Sequence, residues 1–237
     1  MKTIIGLFAV AGLATVSFAV DSNSVEAFDN ATVMVGGPRT GANGKNFLNI
    51  EGKGLGNFAS YGVVDFDASA VSFAGAISSI TGIKIDFTQS NAAFTDSGSL
   101  KFWLTSDIST SIQPGSTLFF DGGSTYGVAA GQLGSPIELG TGAFVETSNG
   151  TVDSYSFNVS GAAATLLTNT YNSDSTLRLV ITQDTGADTV AATWAGFSHN
   201  QFAGPTVTLS AAPVPEPATM AALGVGIAAL LRRRKKA

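Results

Sequence analysis

The chain has 237 residues, a formal net charge of −5, few charged residues (12%), no cysteine and one histidine. These counts exclude disulfides, thiolate zinc sites and the usual histidine-based zinc ligand sets. Between Asp21 and Glu216 lie all 17 acidic residues but only six of the 12 basic ones, so that span carries a formal charge of −11. We therefore expect no nucleic-acid partner, because so acidic a body repels phosphates.

The first 19 residues have the three-part build of a secretory signal peptide. Lys2 precedes an apolar stretch from Ile4 to Val16, and Ser17-Phe18-Ala19 places small residues before a cut. We expect signal peptidase to cleave after Ala19, so residues 1–19 do not count as fold. An uncleaved membrane anchor is the alternative interpretation.

The body, residues 20–212, has the pattern of an all-β domain. Apolar and polar residues alternate over Ile83 to Phe87, Leu100 to Leu104 and Tyr155 to Val159, which is typical of half-buried strands. The same reading predicts further strands at residues 31–35, 47–51, 61–67, 117–120, 137–146, 176–182, 190–197 and 206–209.

Two connections in the body can be predicted in more detail. Asn91 to Gly98 is expected to be a hairpin loop between its flanking strands. Ser160 is expected to cap a short helix over Ala162 to Leu167 that ends near Asn169.

About nine or ten short strands with Gly-rich turns favour a two-layer antiparallel β-sandwich. Tyr61 to Asp67 precedes Ile80 to Phe87, and Leu177 to Val180 precedes Ala191 to Phe197. This order is similar to that of jelly-roll modules of the carbohydrate-binding kind on bacterial surface proteins. The resemblance implies a jelly roll, and an immunoglobulin-like sandwich is the alternative.

The segment 213–237 predicts a membrane-bound tail. Pro215 and Pro217 favour an extended peptide, and an uncharged run of 14 residues follows from Ala218 to Leu231. As a helix this run spans roughly 21 Å, which is short for a bilayer unless the flanking basic side chains snorkel. The positive-inside rule keeps the basic cluster in the cytoplasm. That cluster is Arg232, Arg233, Arg234, Lys235 and Lys236.

A Pro-Glu-Pro signature, a short apolar helix and a basic end, in that order, resemble the PEP-CTERM sorting domain of exported bacterial proteins. The resemblance implies that a membrane-embedded exosortase recognises Pro215, Glu216 and Pro217 and removes the helix and the basic tail. It also implies a membrane-bound precursor and a mature protein at the cell surface or in an exopolysaccharide matrix. A simple C-terminal anchor is the alternative.

Few side chains of the body predict chemistry. Asp65 and Asp67 lie two apart on a strand, so both project from one face and can bind Ca²⁺. Two solvated aspartates are the simpler interpretation, and a glycosidase acid–base pair is the least favoured. His199 lies in a polar loop without a nucleophile elbow and is expected to be a surface histidine. We therefore predict no catalytic residue and no cofactor, with Ca²⁺ as the one candidate metal.

Five aromatic residues are candidates for a sugar-binding platform, although core packing is the default for a lone Trp in a sandwich. They are Tyr61, Trp103, Tyr126, Tyr155 and Trp194. The predicted function is a non-catalytic surface or matrix protein, and an exopolysaccharide-binding module is the alternative. A glycoside hydrolase and an ice-binding protein are less favoured, since no long regular threonine array is present.

Overall fold

The computed structural model describes residues 19–124, 127–129 and 131–214. The predicted signal peptide up to Phe18 and the predicted membrane helix lie outside this part, as do Pro215, Glu216, Pro217 and the basic cluster. None of the helices within the described ranges has the length and apolarity to cross a membrane.

Strands dominate the described residues, and two α-helices and three 3-10 turns lie in their connections. The strands are β1 (Val20–Asp21), β2 (Val25–Met34), β3 (Gly37–Pro38), β4 (Phe47–Glu51), β5 (Ser60–Asp67), β6 (Ile77–Thr88), β7 (Gly98–Thr105), β8 (Ile137–Phe144), β9 (Val152–Asn158), β10 (Thr176–Gln183), β11 (Ala191–Ala195) and β12 (Thr206–Pro213). The helices are α1 (Ala42–Asn46) and α2 (Gly161–Asn172), and the 3-10 turns are Lys53–Phe58, Ala68–Ala70 and Ala92–Phe94.

The strands form one large, nearly closed antiparallel sheet in the order β8-β7-β10-β5-β2-β12-β6-β9. The long strand β2 joins its two halves, because Val25 and Glu26 pair with β12 while Ala27 to Met34 pair with β5. β1 pairs with β12, β3 with β2, and β4 with β11 and β5. The all-β antiparallel class is confirmed, and the two-layer sandwich and the jelly-roll order stay predictions.

The main core lies between the two halves of this sheet. Phe102 on β7 meets Tyr155 on β9 with ring centroids 4.5 Å apart, and Phe87 on β6 stacks on Trp194 of β11 at the same distance. Rings that pack in this way add specific contacts to the area that they bury. The predicted alternation is confirmed here, because the apolar members of Ile83 to Phe87 and Leu100 to Leu104 are buried in this core.

A second core covers the opposite face of β5, β7 and β10. It combines strand residues with side chains of the long β7–β8 connection, residues 106–136. The strand members are Ala31, Val33, Tyr61, Val63, Trp103 and Val180, and the connection supplies Ile112, Leu118, Phe120, Val128 and Leu133. Because this connection acts as a cover, β5 is buried on both faces from Ser60 to Phe66.

Several predicted details are wrong. Asn91 to Gly98 is not a hairpin loop, since β6 pairs with β12 and β9 whereas β7 pairs with β8 and β10. Residues 117–120 form no strand and contribute a single bridge between Phe120 and Val128. The alternation of apolar and polar residues indicates which face of a strand is buried but not which strand pairs with it. A short apolar run such as residues 117–120 can also pack onto a sheet without being a strand.

Boundaries also differ. β2 begins at Val25 rather than residue 31, because polar residues of this strand occupy its outward positions. The predicted helix is confirmed but extends to Asn172, and Ser160 stands at its N-cap without a side-chain capping bond.

A buried ion pair ties the cover to the sheet. Arg178 Nε and Nη2 each donate a hydrogen bond of 2.8 Å to the carboxylate of Asp65, which lies directly opposite on β5. Arg178 Nη1 donates to the carbonyl oxygens of Asp107 (2.9 Å) and Thr110 (2.7 Å) at the start of the cover. The side chains of Arg178 and Asp65 are only 4% and 6% exposed, so each charge depends on the other.

Arg178→Met should therefore destabilise the body strongly, because it leaves the Asp65 carboxylate buried without its partner. We expect a loss of about 3–5 kcal/mol in the free energy of unfolding, measured by urea titration of residues 20–214. Lys84→Met is the matched control, since the ion pair of Lys84 with Asp86 is solvent-exposed and should contribute roughly 0–1 kcal/mol. Equal losses in the two variants would contradict the anchoring role of Arg178.

Candidate functional site

Both ends of the described body lie at the same end of the sheet. Val20 and Asp21 of β1 pair with Ala211 and Ser210 of β12. Because this pairing is antiparallel, the chain enters β1 beside the point where it leaves β12. Ala19, the predicted cleavage residue, is exposed at this end. The two predicted processing positions therefore flank one pair of adjacent strands.

Residues Val20 to Asn23, which we call the N-terminal clasp, hold β12 through both backbone and side chains. Ser22 N donates to Leu209 O (2.8 Å), and Ser22 Oγ accepts from Leu209 N (3.0 Å). Ser210 Oγ donates to Asp21 Oδ1 at 2.6 Å. The clasp is itself fixed by Asn23, whose Oδ1 accepts from Ser72 N at 2.7 Å.

The other edge of β12 pairs with β6. Thr206 to Ser210 are in regular register with Asp86 to Gly82, but the register shifts after Ser210 and again after Ala212. Ser78 Oγ donates to Ala212 O (3.1 Å), and Val214 N donates to Ala76 O (2.9 Å). Backbone hydrogen bonding thus continues to Val214, the residue directly before Pro215.

The structure separates the two aspartates predicted as calcium ligands. Asp65 is buried against Arg178, so its interpretation as a solvated aspartate is wrong. Asp67 is exposed, and hydrogen bonds from the Ser69 hydroxyl and backbone N–H lower the pKa of its carboxyl. Within the described ranges, no three His, Cys, Asp or Glu side chains come together as a metal site. The calcium site stays a prediction. The ion pair had one signal in the sequence, the charged residue Arg178 within an apolar run.

Four of the five aromatic candidates are core residues, and Tyr126 lies outside the described part. Trp194 and Tyr61 are fully buried, and Tyr155 and Trp103 nearly so, which confirms core packing as their role. Burial raises the pKa of the Tyr61 and Tyr155 hydroxyls. The sheet face offers no platform through these four rings.

Sequence reasoning missed a partly buried polar network around the indole N–H of Trp194. Trp194 Nε1 donates to Asp153 Oδ2 at 2.7 Å, and Gln89 Nε2 donates to both oxygens of the same carboxylate at 2.9 and 3.0 Å. Gln89 Oε1 in turn accepts from the backbone N–H of Thr147 (3.0 Å). The Asp153 carboxylate therefore holds the β8–β9 loop to the core. No local pattern marks it, because the partners are far apart in sequence.

His199 holds a turn. Its Nδ1 accepts the backbone N–H groups of Gln201 and Phe202, both at 3.1 Å, so this nitrogen carries no proton. The ring stacks on Phe202 and meets the edge of Phe47. Partial burial lowers the pKa of the imidazole, which keeps it neutral. His199 is half-buried in a surface loop, as expected, and its acceptor nitrogen is occupied by the backbone.

A shallow cleft of about 450 Å³ opens where β5 ends and β10 begins. Its lining consists of Phe28, Asp67, Asp174, Ser175 and Thr176. Phe28 on β2 is 48% exposed, so an aromatic ring and several polar groups face solvent together. The only sequence signal for it was an isolated Phe in the polar stretch Asp21 to Asn30.

Comparison with known families confirms the resemblance of the tail. Residues 213–235 match the model of the PEP-CTERM protein-sorting motif. This match supports an exported protein that is transiently anchored in the membrane and processed by an exosortase. The match begins at Pro213, the last residue of β12. No curated protein matches the chain.

β12 should be indispensable to the body, because it bonds to β6 on one edge and to β1 and β2 on the other. A chain of residues 20–214 should unfold cooperatively in a circular-dichroism melt. A chain of residues 20–205 loses the buried side chains of Val207, Leu209 and Ala211 and should not fold. A cooperative melt of residues 20–205 at the same temperature would contradict this dependence.

Proposed function

We propose that this protein is a non-catalytic component of the bacterial surface or extracellular matrix that an exosortase releases from the membrane. The observation that carries the proposal is the sorting-motif match at residues 213–235, which follows directly on the folded body. In this proposal signal peptidase cuts after Ala19, and the apolar run and basic cluster hold the precursor in the membrane. The exosortase then acts at Pro215, Glu216 and Pro217.

The pairing of β1 with β12 supports this sequence of events. A body whose two ends lie at the same side is compatible with a precursor that enters the membrane at both ends before the signal peptide is cut. The antiparallel pair Val20–Ala211 provides this arrangement, since both chain ends leave the sheet side by side. The acidic body, with its formal charge of −11 between Asp21 and Glu216, suits a soluble extracellular domain.

The hydrogen bonding of three titratable side chains supports a structural rather than a catalytic role. The carboxylate of Asp65 is engaged by Arg178, and that of Asp153 by Gln89 and Trp194. His199 uses its basic nitrogen to hold the backbone of a turn. A general acid or base needs a carboxylate or imidazole that can exchange its proton with a substrate. These three groups are instead bonded to the protein.

Processing can be tested by mass spectrometry of the surface fraction. We expect an N-terminus at Val20 and loss of the basic tail. Replacing Pro215, Glu216 and Pro217 with Ala should leave tail-bearing protein in the membrane, whereas the matched control Glu146→Ala removes an exposed carboxylate of the body and should be processed normally. An intact tail on protein recovered from the medium would count against exosortase processing.

An exopolysaccharide-binding role is the second candidate, and the cleft beside Phe28 is the observation that favours it. An exposed aromatic ring next to carboxylates and hydroxyls offers the apolar and hydrogen-bonding groups with which proteins contact sugars. Asp67 lines the same cleft, so sugar binding and the predicted calcium dependence can be tested together.

Phe28→Ala should weaken retention on exopolysaccharide by roughly twofold to twelvefold, because a lost aromatic contact costs about 0.5–1.5 kcal/mol. Phe58→Ala is the matched control, since Phe58 is 66% exposed but does not line the cleft. Binding is measured for residues 20–214 with and without Ca²⁺. Equal retention of wild type and Phe28→Ala would remove the cleft as a sugar site.

A further inference from the structure

The junction between body and sorting motif leaves no free peptide on the N-terminal side of Pro215. Proteins that bind a peptide through its backbone use its N–H and C=O groups in an extended form. In β12 these groups bond to the β6 side as far as Val214, while the other edge pairs with β2 at Thr206 and Val207 and with β1 at Ser210 and Ala211. Any enzyme that needs the residues before Pro215 must therefore wait for the end of β12 to open.

The β6 edge holds this end of the strand weakly. Two register shifts interrupt the pairing after Ser210 and after Ala212. Pro213 has no N–H, so it cannot donate to the ladder. Beyond the second shift, Val214 N bonds to Ala76 O. Strand ends with few regular bonds open locally far more often than the whole domain unfolds.

The N-terminal clasp therefore matters more than its length indicates. Asp21 and Ser22 bond to Ser210 and Leu209 just before the first register shift. The clasp begins with Val20, the residue that the proposed signal-peptide cut makes the N-terminus. Hence the N-terminal clasp, whose free end the signal peptidase would create, holds β12, the strand that leads to the proposed exosortase site.

We propose that the N-terminal clasp controls how fast the exosortase cuts at the sorting motif, because the clasp sets the fraction of molecules in which the end of β12 is open. Asp21 and Ser22 are positioning residues, since they act through β12. This inference rests on the proposed exosortase processing. When opening and reclosing are fast, proteolysis follows the population of the open form. A clasp that cannot release should therefore slow tail removal, and a weakened clasp should speed it.

A cross-link provides the test. Asp21 and Ser210 are direct antiparallel partners, so their Cα atoms lie about 4.5–5.5 Å apart, within the range of a disulfide. The natural chain has no cysteine, so D21C/S210C has only the introduced thiols. In the full-length precursor, expressed with its exosortase, we expect the oxidised variant to lose its tail at least about tenfold more slowly than wild type. Reductant should restore the wild-type rate.

The matched control is D86C/S154C. Asp86 and Ser154 are also direct antiparallel partners, and Ser154 Oγ donates to Asp86 just as Ser210 Oγ donates to Asp21. This cross-link joins β6 to β9 and leaves the end of β12 untouched, so tail removal should keep its wild-type rate. A second variant, Asp21→Ala with Ser22→Ala, should lose its tail roughly threefold faster. Its melting temperature, measured in parallel, shows that the body stays folded.

The outcomes separate the two proposals. If the wild-type chain keeps its tail, both exosortase processing and its control by the clasp are overturned. If wild type loses its tail and oxidised D21C/S210C does so equally fast, only the clasp is overturned. The clasp is supported if tail removal is slower in oxidised D21C/S210C, returns to the wild-type rate with reductant, and is not slowed in D86C/S154C.

Discussion

Backbone hydrogen bonding along both edges of β12 is the constraint on which the rest of this structure depends. β12 lies between β6 and the first residues of β2, and β2 in turn continues into the half of the sheet that contains β5. Because both edges are paired, the last strand that the structure describes is an interior strand rather than a terminal addition.

The second constraint is burial on both faces of β5, β7 and β10. A strand covered on both sides has no solvated face for a charged residue, so a charge there needs a partner. Asp65 and Arg178 satisfy each other, and the spare nitrogen of Arg178 binds two carbonyl groups of the cover. The same interaction that neutralises the pair thus determines where residues 106–136 begin to fold over the sheet.

The sorting signal and the fold are carried by different parts of the chain. The sorting signal is local and consists of a short motif, an apolar run and a basic end, so it can be read residue by residue. The fold of the body places Val20 beside Ala211. The proposed signal-peptide cut therefore lies beside the strand that leads to the sorting motif. The cleft near Phe28 is likewise assembled from three segments that are distant in sequence, namely β2, the end of β5 and the turn that leads into β10.

The sequence by itself determined the sorting motif, the all-β class and most strands, because each depends on neighbouring residues or on a period of two. It did not determine strand partners, so Asn91 to Gly98 was misread as a hairpin loop. It also missed the cover of residues 106–136 and therefore the burial of Asp65. Only the tertiary structure decided these points, since hydrogen bonds between strands and burial of a second face arise from contacts between residues such as Asp65 and Arg178, which local patterns do not record.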